Sequence, residues 1–387
     1  MTRSTSSRME SESWMPWISS STSYYQKQEE NETGQKQCHG QEIPFERLRA
    51  KKLLGEGGFG RVTLVEDTLL QGEMYALKRM SKRLLEEEDM TRRVVAEKEM
   101  MCLNVSPFVI TFFRSFKDEH FVYFLMEPVL GGHLLQAKDN MPEIFCRDSP
   151  RGSATCFYAA CITTALEHLH GHHILYRDMK CENVLIDARG YAKVCDLGFA
   201  RFCLNRCSTF LGTPAYMAPE MIDKPHKHDF MVDWWALGTV VFELLTGKTP
   251  FDDEGVDEDD PWNLVKAIRR SQDKPLNEQA VPRDINQIAR SFFRELLVVS
   301  PSRRLGHRGA EQVKTHPWFR SLKFDFDALL AQRLRPPFCP DISYEDDGSL
   351  AEEAAYPGSA GGLDGAPDPH GLQRKPTGTL CGWEEHF

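Results

Sequence analysis

From about position 45 onward the chain alternates apolar and polar residues. "LRAKKLLGEGGFGRVTLVED" (48–67) and "EMYALKRM" (73–80), separated by a Gln71-Gly72 turn, predict three antiparallel strands. "FVITFFRSF" (108–116) and "HFVYFLMEP" (120–128) predict two more, with helical spacing in "MTRRVVAEKEMMCL" (90–103) between the two groups. Beyond Gly131-Gly132 the period changes, and long helices are predicted over 153–170, 229–247 and 286–299. A β-rich segment, a short linker and an α-rich segment make an α+β, bilobal layout. Residues 1–44 are rich in Ser, Thr, Gln and Glu without sustained periodicity and are expected to be a disordered tail. From about 320 Pro, Gly and acidic residues take over, and 345–380 is expected to be irregular. No internal repeat is present, and the acidic run "DDEGVDEDD" (252–260) reads as a solvated loop rather than a docking element.

Composition narrows the function classes. The 387 residues suffice for one large two-lobed unit or two ordinary domains, and 41% apolar with 27% charged residues suits a soluble globular chain. A formal charge of -10 argues against nucleic acid as a partner and mildly favours basic ones. Eleven cysteines without CxxC pairs read as reduced thiols in a cytoplasmic or nuclear setting. Cys203 and Cys207 lie four apart, but no His or Cys cluster completes a zinc site beside them. No membrane span is expected: "MVDWWALGTVVFELL" (231–245) carries Asp233 and Glu243, is too short, and reads as a buried core helix. No secretory h-region opens the chain and position 2 is Thr rather than the Gly that myristoylation requires, so neither a leader nor a myristoyl anchor is expected.

Chemistry enters with "GEGGFGRV" (55–62). The G-x-G-x-x-G spacing alone is weak, but Gly60 leads into another strand, whereas a dinucleotide-binding loop leads into a helix. A glycine-rich hairpin lets backbone N–H groups approach polyphosphate because no Cβ intervenes. Lys78 shares a strand face with Ala76. Glu97 lies on an apolar helix stripe with Val94 and Met101, where a carboxylate is costly unless paired, and Lys78 is its natural partner. Glu99 falls on a different face. In "ILYRDMKCENVLI" (174–186) two apolar runs flank Arg177, Asp178, Lys180, Glu182 and Asn183, and Asp196 ends the next strand-like run. Asn183 and Asp196 suit a hard cation such as magnesium, Asp178 could accept a hydroxyl proton, and Lys180 could offset charge on a transferred phosphoryl group.

With "GEGGFGRV", "YALK", "YRDMKCEN", "DLG" and "APE" (218–220) in this order, the sequence from Leu53 to Phe319 resembles a eukaryotic protein kinase. "YRD", "GTPAYMAPE", "VDWWALG", "PSRRLG", "RPPFCP" (335–340) and the terminal "GWEEHF" are similar to the AGC group that contains the cyclic-nucleotide-dependent Ser/Thr kinases. The resemblance implies a bilobal kinase domain over 45–319, with an N-lobe (45–127), hinge (128–132) and C-lobe (133–319). It also implies an extension over 320–387 whose aromatic end docks on the small lobe. The residues ahead of the domain are too few and too polar for a cyclic-nucleotide-binding domain, so cyclic GMP is not expected to act within this chain.

The resemblance further implies a serine/threonine kinase using ATP and Mg2+. Lys78, paired with Glu97, would hold the α- and β-phosphates under Leu54, Gly55, Glu56, Gly57, Gly58, Phe59 and Gly60. Asp178 would be the catalytic base, assisted by Lys180, with Asn183 and Asp196 as metal ligands. Met126, Glu127 and Val129 would form the adenine-binding hinge, and Val62, Ala76 and Leu185 would sandwich the ring. Glu220 would pair with Arg304 in a structural role. Thr209 would carry an activating phosphate bound by Arg177 and Arg201, with Arg93 as a third partner and Ser208 as the rival acceptor.

Protein substrates with basic residues before the phosphoacceptor are implied by Glu182 and Glu243, and an apolar residue after it by Phe210, Pro214 and Met217. A regulatory subunit or an upstream activating kinase would be a further partner. The sequence departs from the family pattern at His133, where relatives place a glutamate that contacts ribose and substrate arginine. It also departs at Leu197 (usually Phe), at Cys181 (usually Pro), and in the tail, where Tyr344 would substitute for a segment closing over ATP. Cys195, just before Asp196, reads as a small buried filler. The alternative reading is a pseudokinase, a binding module with the fold but without the chemistry.

Overall fold

A computed structural model describes residues 43–58, 60–70, 72–146, 154–204, 206–208, 211–223, 225–251, 281, 285–342, 383 and 386–387. The chain divides at Glu42/Ile43, and the second unit contains all the described residues. The expectations for residues 1–42, the acidic run 252–260, the stretch 345–380, and Phe59, Thr209, Phe210 and Tyr344 lie outside them.

The predicted alternation folds as five antiparallel strands: β1 (Leu48–Gly57), β2 (Gly60–Asp67), β3 (Met74–Ser81), β4 (Phe112–Lys117) and β5 (Phe121–Met126). They lie in the order β1-β2-β3-β5-β4. Period-two alternation sends the residues of each strand to opposite faces. Val65, Tyr75, Leu77, Tyr123 and Leu125 form a small core on one face with Ile43 and Leu48. Ala76, Met80, Val122, Phe124 and Met126 join the main core on the other. Lys78 lies between Ala76 and Met80, opposite Phe124 on β5, so strand parity alone places its ammonium on the inner face.

Two helices follow β3, the short α1 (Lys82–Glu87) and α2 (Thr91–Cys102). The Ser81 side chain caps the first by accepting from the Leu84 N–H. The second buries Val94, Glu97, Met100 and Met101 along one stripe.

The larger, helical lobe contains α3 (Leu134–Asn140), α4 (Pro142–Cys146), α5 (Ala154–Gly171), α6 (Pro219–Ile222), α7 (Met231–Thr246), α8 (Gln287–Leu296), α9 (Ala310–Lys314), α10 (Pro317–Ser321) and α11 (Phe326–Leu330). Nearly every residue of α5 and α7 is buried, as expected of helices apolar on all sides. The hydroxyls of Thr163 and Thr164 on α5 donate to carbonyls one turn back, at 2.7 and 2.9 Å, so their burial leaves no donor orphaned. Helices α7 and α8 approach closely at Gly238, where a Cβ would lie 2.8 Å from that of Leu296. Gly247, left-handed at φ 80°, ends α7.

Short strands carry the functional segments between the lobes. β6 (Ile174–Leu175) pairs with β9 (Arg201–Phe202), and β7 (Val184–Ile186) pairs with β8 (Ala192–Val194). The connection between lobes is tied down by reciprocal backbone bonds, Gly131 N–H to Ile186 O at 2.8 Å and Ile186 N–H to Gly132 O at 2.9 Å. The segment after α11 crosses this region. A Cβ on Gly190 would collide with the Phe338 carbonyl at 2.0 Å, and one on Gly131 with Pro340 at 2.6 Å. At the far end the terminal Phe387 ring stacks on Phe124 at 5.7 Å, and Trp383 Nε1 donates to Glu86 at 3.0 Å.

Candidate active site

The glycine-rich segment is a hairpin closed by Gly57 facing Gly60, which settles the choice between a strand-to-strand and a strand-to-helix loop. Its glycines serve two different purposes. A Cβ on Gly60 would lie 1.9 Å from the Arg79 carbonyl, so Gly60 is demanded by packing on β3. Around Gly55, Gly57 and Gly58 nothing comes within 4 Å of an added Cβ, which leaves open the space that a polyphosphate needs.

Beneath the hairpin, Lys78 Nζ donates to Glu97 Oε1 at 2.7 Å and lies 3.7 Å from Asp196 Oδ1. Burial opposes the Lys78 charge, but Glu97 and Asp196 outweigh it and hold its pKa above the ordinary lysine range. Asp196 is held below the usual carboxylate range, chiefly by Lys78, so it is an anion at neutral pH. Gly198 turns its N–H onto Asp196 Oδ1 at 3.2 Å, and the turn holds Asp196 at φ 55°.

The loop between β6 and β7 brings the second group together. Asn183 Nδ2 donates to Asp178 O at 2.9 Å and to Asp178 Oδ2 at 2.8 Å. Thr213 Oγ1 donates to Asp178 Oδ1 at 2.9 Å, and Lys180 Nζ reaches Thr213 Oγ1 at 3.0 Å and Asp178 Oδ2 at 3.3 Å. The two carboxylate oxygens of Asp178 are thus aimed by separate partners, which leaves the side chain one orientation. The donor set also fits a divalent cation. Asn183 spends its amide N–H groups on Asp178, which leaves Oδ1 as the atom suited to a cation, and Asp196 supplies an ionised carboxylate nearly half exposed to solvent.

The loop itself is pinned from below by Asp233 on α7. This fully buried carboxylate accepts from the N–H groups of Tyr176 (3.0 Å) and Arg177 (2.8 Å) and from His170 Nε2 (2.8 Å). Tyr176 adds a hydroxyl bond to the Cys195 carbonyl at 2.5 Å, linking the loop to the approach to Asp196.

Ala76, Met126 and Val129 belong to the main buried cluster, and the partly buried Val62 and Leu185 pack against it. Glu127, at the end of β5, is held through its side chain. Its Oε1 accepts from Lys193 Nζ at 2.9 Å and from the Thr111 N–H at 2.6 Å, tying β8 to the adjoining ends of β4 and β5. Leu54 is exposed beside the hairpin, and Glu56 pairs with Arg61 at 2.8 Å. Cys195 points its thiol to the Asn183 carbonyl at 3.3 Å, and burial with Asp196 beside it pushes that thiol up to about 12, the behaviour of an inert filler.

A family model described as "Protein kinase domain" matches residues 48–319. The chain belongs to the protein kinase family. Relatives include the cAMP-dependent protein kinase catalytic subunit PRKX of Homo sapiens, 38% identical over 308 residues that make up 79% of this chain and 79% of that protein. The cGMP-dependent protein kinase, isozyme 2 forms cD5/T2, of Drosophila melanogaster is 35% identical over 353 residues, 89% of this chain but 34% of that protein. Serine/threonine-protein kinase N2 of Danio rerio is 36% identical over 303 residues, 76% of this chain and 29% of that protein. The chain therefore spans about a third of the length of the cyclic-GMP-dependent relatives. All these relatives are serine/threonine kinases of the AGC group, and the chain carries a domain of that kind.

Within the kinase domain, Glu220 and Arg304 form the predicted pair, a two-pronged contact at 2.6 and 2.9 Å. Arg304, fully buried, also donates to Met231 O and Val298 O. Arg201 and Arg93 are close enough for their charges to act on Arg177, whose Nη1 is buried with no hydrogen-bond partner among the described residues. Of the residues expected to meet substrate, Glu182 is exposed, Pro214 half-buried and Met217 buried.

Glu243 differs from its expected state in one respect: it is already engaged. Its carboxylate pairs with buried Lys138 at 3.4 Å and accepts from Tyr216 OH at 2.6 Å and the Cys181 thiol at 3.3 Å. Cys181, at the position where the family usually has proline, is thereby a hydrogen-bond donor to Glu243. His133 caps α3, its Nδ1 accepting from the Gln136 N–H at 3.1 Å.

Sequence reasoning did not assign roles to Asp233, Thr213 or Lys138. An acid inside a run as apolar as "MVDWWALGTVVFELL" was a signal for Asp233, since such a charge persists only with partners. Thr213 and Lys138 left no comparable mark.

Proposed function

We propose that this chain transfers the γ-phosphate of MgATP to serine or threonine hydroxyls of proteins that carry basic residues before the acceptor. We propose also that phosphorylation of Thr209 activates it. The observation that carries the first reading is the Lys78–Glu97 pair at 2.7 Å, assembled with Asp196 while Asp178 is independently oriented by Asn183 and Thr213. Lys78 would hold the α- and β-phosphates, with the open space around Gly55, Gly57 and Gly58 receiving the polyphosphate from above. Asn183 and Asp196 would hold magnesium, which supplies neutralisation of phosphate charge. Asp178 would accept the proton of the substrate hydroxyl through the oxygen that Thr213 now occupies, and Lys180 would turn from Thr213 toward the transferred group. Met126, Glu127 and Val129 would meet adenine, with Val62, Ala76 and Leu185 on its faces.

For the substrate, Glu182 is the exposed carboxylate, whereas Glu243 is balanced by Lys138. An exposed ion pair is worth about 0.2–1 kcal/mol, so the preference for an arginine two residues before the acceptor should be modest, roughly fivefold or less. The aromatic carboxyl-terminal end would dock on the small lobe, which the Phe387–Phe124 stack supports.

The activation reading is supported by the arginine cluster. A phosphate there would satisfy Arg177 Nη1 through charge-assisted hydrogen bonds. An upstream kinase that phosphorylates Thr209, or a regulatory subunit, would be the partner.

The test is transfer of labelled γ-phosphate to serine peptides with and without that arginine, by the wild-type chain and by Thr209→Ala. Transfer that needs magnesium, favours the arginine peptide and falls several-fold in Thr209→Ala is the expected outcome. Nucleotide binding without transfer would favour the pseudokinase, and full activity in Thr209→Ala would remove the activation reading alone.

A further inference from the structure

We infer that Lys193 is a positioning residue for the nucleotide base: its ammonium fixes Glu127 so that the backbone from Glu127 to Val129 takes adenine and turns guanine away. The inference rests on the reading that Met126, Glu127 and Val129 meet the base. It adds a residue that does not itself touch the nucleotide.

Lys193 lies on β8 opposite Leu185 of β7, and directly opposed residues of an antiparallel pair share a face. Its stem therefore starts beside the side chain expected against the base, and its head donates to Glu127 Oε1 at 2.9 Å. The two side chains are only 9% and 20% exposed. A buried ion pair is a weak source of stability compared with apolar side chains of the same volume, whereas its hydrogen bond fixes a direction.

Glu127 is held on three sides. Its N–H donates to the Thr111 carbonyl at 3.0 Å, and its Oε1 accepts from the Thr111 N–H at 2.6 Å as well as from Lys193. The segment leading to Thr111 is itself fixed by β8. The Val194 N–H donates to the Phe108 carbonyl at 2.8 Å, and the Ile110 N–H to the Val194 carbonyl at 2.9 Å. Strand β8 thus holds Glu127 by two routes, through the backbone by way of Thr111 and through the side chain by way of Lys193.

With its N–H and carboxylate spent within the protein, Glu127 has its carbonyl left for a ligand. Pro128 brings no N–H, so the next donor along the chain is the N–H of Val129. An acceptor and a donor two residues apart match the edge of adenine, whose C6 amino group donates and whose N1 accepts. Guanine presents the reverse, a carbonyl at C6 and an N–H at N1, so each of its groups would face its like. That discrimination holds only while the Glu127 carbonyl keeps its direction. Without Lys193 the carboxylate loses its cation inside the protein, and the residue is free to turn toward water and carry its carbonyl with it.

The test measures kcat and KM for ATP and for GTP with a serine peptide, using the full chain and its Lys193→Met and Lys193→Arg variants. Loosening one hydrogen bond is worth roughly fivefold, so Lys193→Met should raise the KM for ATP by about that factor or more. Its kcat should stay, because Lys78, Asp178, Asn183 and Asp196 are untouched, and its preference for ATP over GTP should narrow. Lys193→Arg, which keeps the charge and the donor, should preserve both KM and preference. A Lys193→Met protein with unchanged KM and unchanged preference, or one that loses kcat at constant KM, would overturn the inference. Should Lys193→Met fail to fold, Lys193→Met/Glu127→Gln leaves no unpaired charge and carries the same expected and contrary results. A wild-type chain that uses ATP and GTP alike would overturn the reading of the base site and the inference with it. A wild-type preference that survives intact in Lys193→Met overturns the inference alone.

Discussion

At the scale of single residues, the site is a set of charges whose partners are fixed before any substrate arrives. Lys78 is poised by two carboxylates, and Asp178 by an amide, a hydroxyl and an ammonium. Lys138 is the residue that changes the expected chemistry most, because its ammonium already answers Glu243. Breaking a buried pair by removing one partner leaves an uncompensated charge, which an incoming guanidinium can satisfy. Lys138→Met should therefore raise the preference for an arginine two residues before the acceptor above that of the wild type. The ratio of kcat/KM for arginine and alanine peptides measures it, and an unchanged ratio would show that Glu243 does not face the peptide.

At the scale of elements, the glycine-rich hairpin separates packing from binding within a few residues. Gly60→Ala forces a Cβ against the Arg79 carbonyl, and overpacking of this kind typically costs about 1–3 kcal/mol. Gly58→Ala meets nothing in the protein. Denaturation should thus show a lower midpoint for Gly60→Ala and a near wild-type one for Gly58→Ala, with a raised KM for ATP in the latter. The reverse pattern would contradict the division of roles.

The same elements show what could be read from sequence. β1 to β5 were legible because their alternation runs over several residues, and strand parity correctly placed Lys78 with Ala76. The stripe Val94–Glu97–Met101 on α2 was legible for the same reason. β6 and β9, two residues each, are too short to carry a period, and their pairing depends on chain brought back from 26 residues away. Asp233 could be flagged as a costly charge, but its partners are backbone N–H groups more than 50 positions earlier, which no local pattern reveals.

At the scale of the whole molecule, stability should depend on pH through buried histidines. Burial lowers the pKa of His168 from 6.5 to about 4, with His172 adding to the effect, and burial also lowers His228 and His316. In the unfolded chain these groups take protons near 6.5, while the folded chain refuses them until lower pH. The unfolded state then binds more protons, so stability is fully present above about 6.5 and declines as pH falls toward 4. The unfolding temperature should drop between pH 7 and pH 5, and a flat profile would show that the folded histidines titrate normally.

The central claim is that the assembled charges perform phosphoryl transfer and do not merely bind nucleotide. Its most direct test is the rate of γ-phosphate transfer to an arginine-containing serine peptide at saturating MgATP, wild type against Asp178→Asn. Removing a positioned general base typically costs about 10²–10⁴-fold, so the variant should lose at least that much while still binding nucleotide. A wild-type rate no higher than that of Asp178→Asn would contradict the account.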